Sequence, residues 1–141
     1  MIFAAGLGTR LRPLTDNMPK ALVPVAGKTM LERVILKLKD AGFHDITINI
    51  HHFGNQIIDF LRANQNFGVD IHISDERGEL LDTGGGIKKA RPLLESNEPF
   101  LIHNADILTD VDLNAFYHHH LESNADATLL TNHRKTSRYL L

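Results

Sequence analysis

The chain has 141 residues, 43% of them hydrophobic and 23% charged, with no cysteine and a formal net charge of −2. That length suffices for one domain with its own core, the lack of cysteine excludes disulfide and thiol chemistry, and the charge balance argues against a nucleic-acid partner. No apolar run approaches the ~20 residues of a membrane-crossing helix and no charged-then-apolar segment opens the sequence, so a cytoplasmic protein without a membrane partner is expected.

In chain order, Met1–Ala4 reads as a buried strand. It feeds a glycine-rich basic loop, Ala5-Gly6-Leu7-Gly8-Thr9-Arg10-Leu11-Arg12-Pro13-Leu14-Thr15, which is followed by Pro19-Lys20 and Val23-Pro24-Val25. Thr29 can cap a helix over residues 30–41, with Leu31, Val34, Ile35 and Leu38 on one face and Gly42 as the stop. Residues 45–50 alternate as a strand, 55–64 carry Ile57, Ile58 and Leu61 at helical spacing, and 69–73 form a third strand. A polar loop over 75–83 leads to a helix over 84–94, opened by Gly84, Gly85 and Gly86 and stopped near Pro92. An apolar strand over 99–103 ends at Asn104-Ala105-Asp106, Asp112 caps a helix over 113–122, and residues 127–131 read as a last strand. Alternating strands and helices predict an α/β fold of Rossmann-like type: a mostly parallel, mixed sheet with helices on both faces. Ligands of such sheets sit at the carboxyl ends of the strands. The loop from Gly6 to Lys20, the loop from Asp75 to Gly86, and Asp106 all follow strands there.

The first loop combines glycines, which let backbone come close to an anion, with Arg10, Arg12 and Lys20. Residues 6–28 hold four basic residues against Asp16 alone, a local balance of +3 that suits a small polyanion. It is not a P-loop, because Gly8 is followed by Thr9-Arg10. Nor is it a dinucleotide fingerprint, because Leu11 stands where the third glycine belongs.

The whole string G-x-G-T-R-x-x-P-L-T-x(3)-P-K-x-x-x-P-V, with Asp82-Thr83-Gly84-Gly85-Gly86 and His103-Asn104-Ala105-Asp106 further on, resembles the signature of the sugar-1-phosphate nucleotidyltransferases. Within that family the segment from Leu81 to Ile87 is most similar to N-acetylmuramate-1-phosphate uridylyltransferases, with mannose-1-phosphate guanylyltransferases close behind. The resemblance implies a Mg²⁺-dependent transferase in nucleotide-sugar biosynthesis, whose partners are an NTP, UTP or GTP, and a sugar-1-phosphate. It assigns Arg10 to the triphosphate, Lys20 to charge stabilisation at the transferring phosphate and Asp106 to the metal. Ala5, Gly6, Gly8 and Thr9 would bind nucleotide through the loop, Glu76 would read the base, and Gly84 and Gly85 would allow close approach of base or sugar. A Glu76 carboxylate can accept two N–H donors, which suits guanine, whereas the Thr-Gly-Gly-Gly string leans to UTP; the string carries slightly more weight.

The family's catalytic unit is usually longer, so residues 1–141 read as its nucleotide-binding core, with Arg134–Leu141 as the start of a hairpin or strand that continues beyond them. Three consecutive histidines, His118 to His120, point in different directions on a helix and are expected at the surface rather than at a metal. His51, His52 and His103 stand near the crevice, with His103 expected to be structural. Two rival readings stay open: a non-catalytic nucleotide- or sugar-sensing module on the same fold, and a phosphocholine cytidylyltransferase-like enzyme.

Overall fold

A computed structural model describes residues 1–132, so the expected hairpin or strand at 134–141 lies outside the described residues. Its elements run β1 (Ile2–Phe3), β2 (Pro24–Val25), β3 (Lys28–Thr29), α1 (Met30–Asp40), β4 (Asp45–Ile50), α2 (Gly54–Ala63), β5 (Asp70–Asp75), α3 (Asp82–Leu94), β6 (His103–Asn104) and α4 (Leu113–Ser123). Four of the strands form one parallel sheet in the order β5-β4-β1-β6, while β2 and β3 make a separate antiparallel hairpin. The hairpin turns at Ala26 and Gly27, both with positive φ, as a two-residue turn of matching twist requires.

The alternation in β4 decides what covers each face of the sheet. Ile46, Ile48 and Ile50 point into one cluster with Leu31, Val34, Ile35 and Leu38 of α1 and Ile57 and Leu61 of α2. Each such fully buried aliphatic side chain contributes on the order of 1.5–3 kcal/mol. Thr47 and Asn49 lie on the opposite face and are equally buried, because α3 covers them. Gly86 in α3 comes so close that a Cβ there would stand 3.2 Å from Asn49 Nδ2 and 3.4 Å from the Phe3 ring. Helices therefore cover both faces, as the alternation of elements predicts.

Local signals set most boundaries. The Thr29 hydroxyl accepts from Glu32 N at 3.1 Å and opens α1, and Gly42, at φ +87°, ends it with Lys37 and Lys39 in the last turn. The Asp112 carboxylate accepts from Ala115 N at 3.0 Å and opens α4. Three expectations need correction. Helix α3 starts at Asp82, not at the glycines, and ends at Leu94 as expected, with Pro92 in its last turn. The strand over 99–103 contracts to β6, although His103 N and Ala105 N still donate to Met1 O and Phe3 O on β1. Residues 127–131 form no strand: Leu129 and Leu130 are exposed, and among the described residues nothing pairs with the free edge of β6. No helix among the described residues is long and apolar enough to cross a membrane.

Candidate active site

Because the four sheet strands are parallel, the segments that leave β1, β5 and β6 emerge at one end of the sheet. They enclose a cleft of about 410 Å³. The first wall is the glycine loop. Ala4 and Ala5 are buried and donate their N–H groups to the Asn49 side-chain oxygen, at 2.7 and 3.3 Å. Gly8 sits at φ +68°, and a Cβ there would stand 3.0 Å from Thr15 Cγ2 and 3.1 Å from Lys20 Cβ. The loop is thus folded back against Thr15 and Lys20, a conformation a larger residue would strain. The buried Thr15 hydroxyl locks it by donating to Gly8 O at 2.8 Å. One 3₁₀ turn, Thr9–Leu11, then presents an exposed Arg10 on the cleft. Arg12 instead pairs with Asp16 at 3.5 Å on the open surface, a contact of little energetic weight.

The second wall carries the charge. Pro19 is buried and Lys20 opens a second 3₁₀ turn, Lys20–Leu22, so the lysine springs from a rigid stem. Its ammonium is ion-paired with the Asp106 carboxylate. Asp106 directly follows the buried Ala105, which is fastened to β1 through its own N–H. Two residues 86 positions apart are therefore brought into contact by the adjacency of β1 and β6.

The third wall follows β5. Glu76 is fully buried; its Oε1 accepts from Asn49 Nδ2 at 2.9 Å, while Oε2 has no partner among the described residues. The carboxylate expected to read the base is thus turned to Asn49 and buried in this structure. His51 donates Nδ1–H to Glu76 O at 2.6 Å and fixes the turn from behind.

The cleft is lined by Ala5, Gly6, Gly8, Thr9, Arg10, Lys20, Glu76 and Asp106 together. Gly84 and Gly85 do not line it. Asp82 takes up φ +53° and starts α3 early, so the glycines fall inside the helix and Asp82 and Thr83 reach the cleft instead. A Cβ on Gly84 would meet nothing within 4 Å, and one on Gly85 would meet only Leu81.

Among the histidines, His103 is buried, donates Nδ1–H to Asn104 O at 2.7 Å, and has its pKa held below the ordinary imidazole value chiefly by that burial. His118 and His119 are exposed, and His120 meets the Thr128 hydroxyl. His51 and His52 do not line the cleft. Sequence reasoning missed Asn49, Leu80, Thr83 and Asn104, all of which do. For Asn49 a signal existed: a polar residue on the second face of a strand that a helix also covers is buried, and buried amides are there to be hydrogen-bonded.

Known proteins share both sequence and geometry. The family model described as "Nucleotidyl transferase" matches residues 1–139. N-acetylmuramate alpha-1-phosphate uridylyltransferase of Neisseria meningitidis serogroup B is 48% identical over 117 residues, 83% of this chain and 50% of that protein. Mannose-1-phosphate guanyltransferase of Yarrowia lipolytica is 34% identical, over 99% of this chain and 39% of that protein. The crystal structure of HddC from Yersinia pseudotuberculosis complexed with GMP-PN superposes with a TM-score of 0.74 at 32% identity, covering 89% of this chain and 53% of that one. The chain thus spans between 36% and 50% of the length of the curated relatives it matches. A family model that matches nearly every residue, on a parallel sheet superposable on that of a relative, means that this chain belongs to the nucleotidyl transferase family.

Proposed function

We propose that this chain carries the nucleotide-binding part of an enzyme that transfers a nucleoside monophosphate from an NTP to a sugar-1-phosphate. The observation that carries the reading is the single cleft that joins a glycine-rich loop, Arg10, Lys20 and Asp106. The relatives are named for this class of reaction.

In this reaction an oxygen of the sugar phosphate attacks the α-phosphorus of the NTP. The bond from that phosphorus to the bridging oxygen breaks, and pyrophosphate leaves with the electron pair. The nucleophile is already anionic at neutral pH, so no general base is needed; the obstacles are like-charge repulsion and charge on the leaving group. Lys20 stands where it can stabilise the transferring phosphate, and Arg10 where it can hold the β- and γ-phosphates. Gly6 is exposed at the cleft, where the lack of a side chain would let the loop lie against the nucleotide.

Asp106 fits a magnesium ion. Its carboxylate lies at the cleft, where it pairs with Lys20, and Mg²⁺ is commonly held by one or two carboxylates with substrate phosphates supplying the rest. When bound, the ion supplies charge neutralisation on the phosphates. UTP is favoured over GTP. That preference rests on the segment from Leu81 to Ile87, which resembles the uridylyltransferases, and on the uridylyltransferase at 48% identity. A cytosolic setting accords with a sequence free of cysteine.

The test is pyrophosphate release by the full-length protein with UTP, GTP, dTTP and CTP against a set of sugar-1-phosphates, beside a thermal-shift panel with the same nucleotides and Mg²⁺. UTP should give the largest shift and the fastest release. Nucleotide binding without release from any pair would replace the reading by a sensing module, and neither binding nor release would overturn it.

A further inference from the structure

We infer that Asn49 is a positioning residue that couples the base side of the cleft to the glycine loop through one side-chain amide, an inference that rests on the nucleotide-binding reading above. Its oxygen accepts from Ala4 N at 2.7 Å and Ala5 N at 3.3 Å. Its nitrogen donates to Glu76 Oε1 at 2.9 Å. The orientation of the amide follows from its partners: flipped, Nδ2 would face two N–H donors and Oδ1 would face a carboxylate oxygen.

Three elements therefore meet on one buried group. Ala4 and Ala5 lie where β1 becomes the glycine loop, and their N–H groups are satisfied by the Asn49 side chain. Glu76 lies where β5 becomes the loop to α3. Asn49 stands on β4, between those two strands in the sheet, with its side chain on the face that α3 covers. Glu76 belongs to the lining of the same cleft, while its Oε2 is sealed and without a partner among the described residues. A displacement of the Glu76 carboxylate is passed to Asn49 through the bond to Oε1. Through Asn49 it pulls on the start of the loop that carries Gly6, Gly8 and Arg10. Asn49 touches no reacting atom; it sets where the loop and Glu76 sit relative to each other.

Asparagine is the side chain that can do this. Leucine would leave two buried N–H groups unpaired, and aspartate would place a second carboxylate against Glu76. That second case supplies the test, a double-substitution cycle in the full-length protein with KM for the nucleotide and kcat measured separately. Asn49→Asp alone should raise KM by about tenfold or more with a smaller change in kcat, because Lys20 and Asp106 are untouched. In the Glu76→Gln background the same substitution should cost less than about threefold, since the amide then present at position 76 can donate to the new carboxylate and restore the bond in the opposite sense. An equal fold-change in both backgrounds would overturn the inference. A second readout needs no nucleotide. Amide exchange at Ala4 and Ala5 should quicken by about tenfold or more in Asn49→Ala and stay slow in Asn49→Asp, which keeps the acceptor. Unchanged exchange in Asn49→Ala would also overturn it. A wild-type protein that neither binds nor turns over nucleotide would fail the functional reading, while the exchange at Ala4 and Ala5 still decides the role of Asn49.

Discussion

The two glycines Gly84 and Gly86 occupy the same helix and should respond differently to alanine. In a helix interior alanine is better than glycine by about 1 kcal/mol, through backbone entropy alone. At Gly84, in the first turn of α3, a smaller part of that gain is unopposed: the position is exposed and a Cβ meets nothing within 4 Å. At Gly86 a Cβ would stand 2.9 Å from Glu76 Oε1, 3.2 Å from Asn49 Nδ2 and 3.4 Å from the Phe3 ring. The first two atoms are hydrogen-bonded to each other, so neither can retreat without breaking that bond. Overpacking of this kind costs roughly 1–3 kcal/mol, which outweighs the helix gain and leaves Gly86→Ala destabilised by about 1 kcal/mol. For a chain of this size that separates the variants by several degrees in Tm: Gly84→Ala at or slightly above the wild type, Gly86→Ala a few degrees below. Urea titration should place the midpoints in the same order with unchanged slope. If Gly86→Ala melts at or above Gly84→Ala, α3 does not rest on the Asn49–Glu76 pair as described.

Other consequences are as direct. Lys20→Ala and Asp106→Ala should each lower turnover of the full-length protein by about 10²-fold or more while melting curves stay cooperative; near-native pyrophosphate release in either would contradict their proposed roles. Thr29→Ala removes the hydroxyl that accepts from Glu32 N and should cost about 1 kcal/mol in urea unfolding. Burial lowers the pKa of His103 in the folded state, so between that value and the unfolded one near 6.5 the unfolded chain binds more protons. Stability should therefore be full above that range and fall as pH drops through it, and a Tm–pH profile of His103→Gln should be flatter there than that of the wild type.

How far the sequence could be read depended on whether a feature was local. Thr29 and Asp112 announced their helices because a cap is decided within three residues. The glycine loop, Lys20 and Asp106 were legible as motif positions, and parallel topology brought them to one strand end. What stayed hidden depended on partners distant in sequence. The run at 99–103 has strand composition, but only its end is in the sheet; the run at 127–131 has it too and finds no neighbour among the described residues. The glycines at 84–86 looked like a helix entrance, yet the left-handed turn at Asp82 moves the entrance upstream and makes Gly86 a packing residue. Glu76 looked like an open carboxylate because nothing near it in sequence shows that Asn49, 27 residues earlier, occupies one oxygen.

The pattern of β4 explains why stability and function need not compete in this chain. Ile46, Ile48 and Ile50 serve the core shared with α1 and α2, where truncation to alanine costs about 2–5 kcal/mol and leaves the cleft side unaltered. Asn49 points the other way, to the glycine loop, Glu76 and α3. A strand with period two can hold both because each face is covered by different helices. Substitutions at 46, 48 and 50 should thus shift unfolding midpoints and spare the nucleotide KM of the molecules that remain folded. Changes at 49 should raise the nucleotide KM as well as lower stability, because that amide satisfies buried groups of the loop and of Glu76. A large KM effect from Ile48→Val, with little loss of stability, would show that the two faces are not separable in this way.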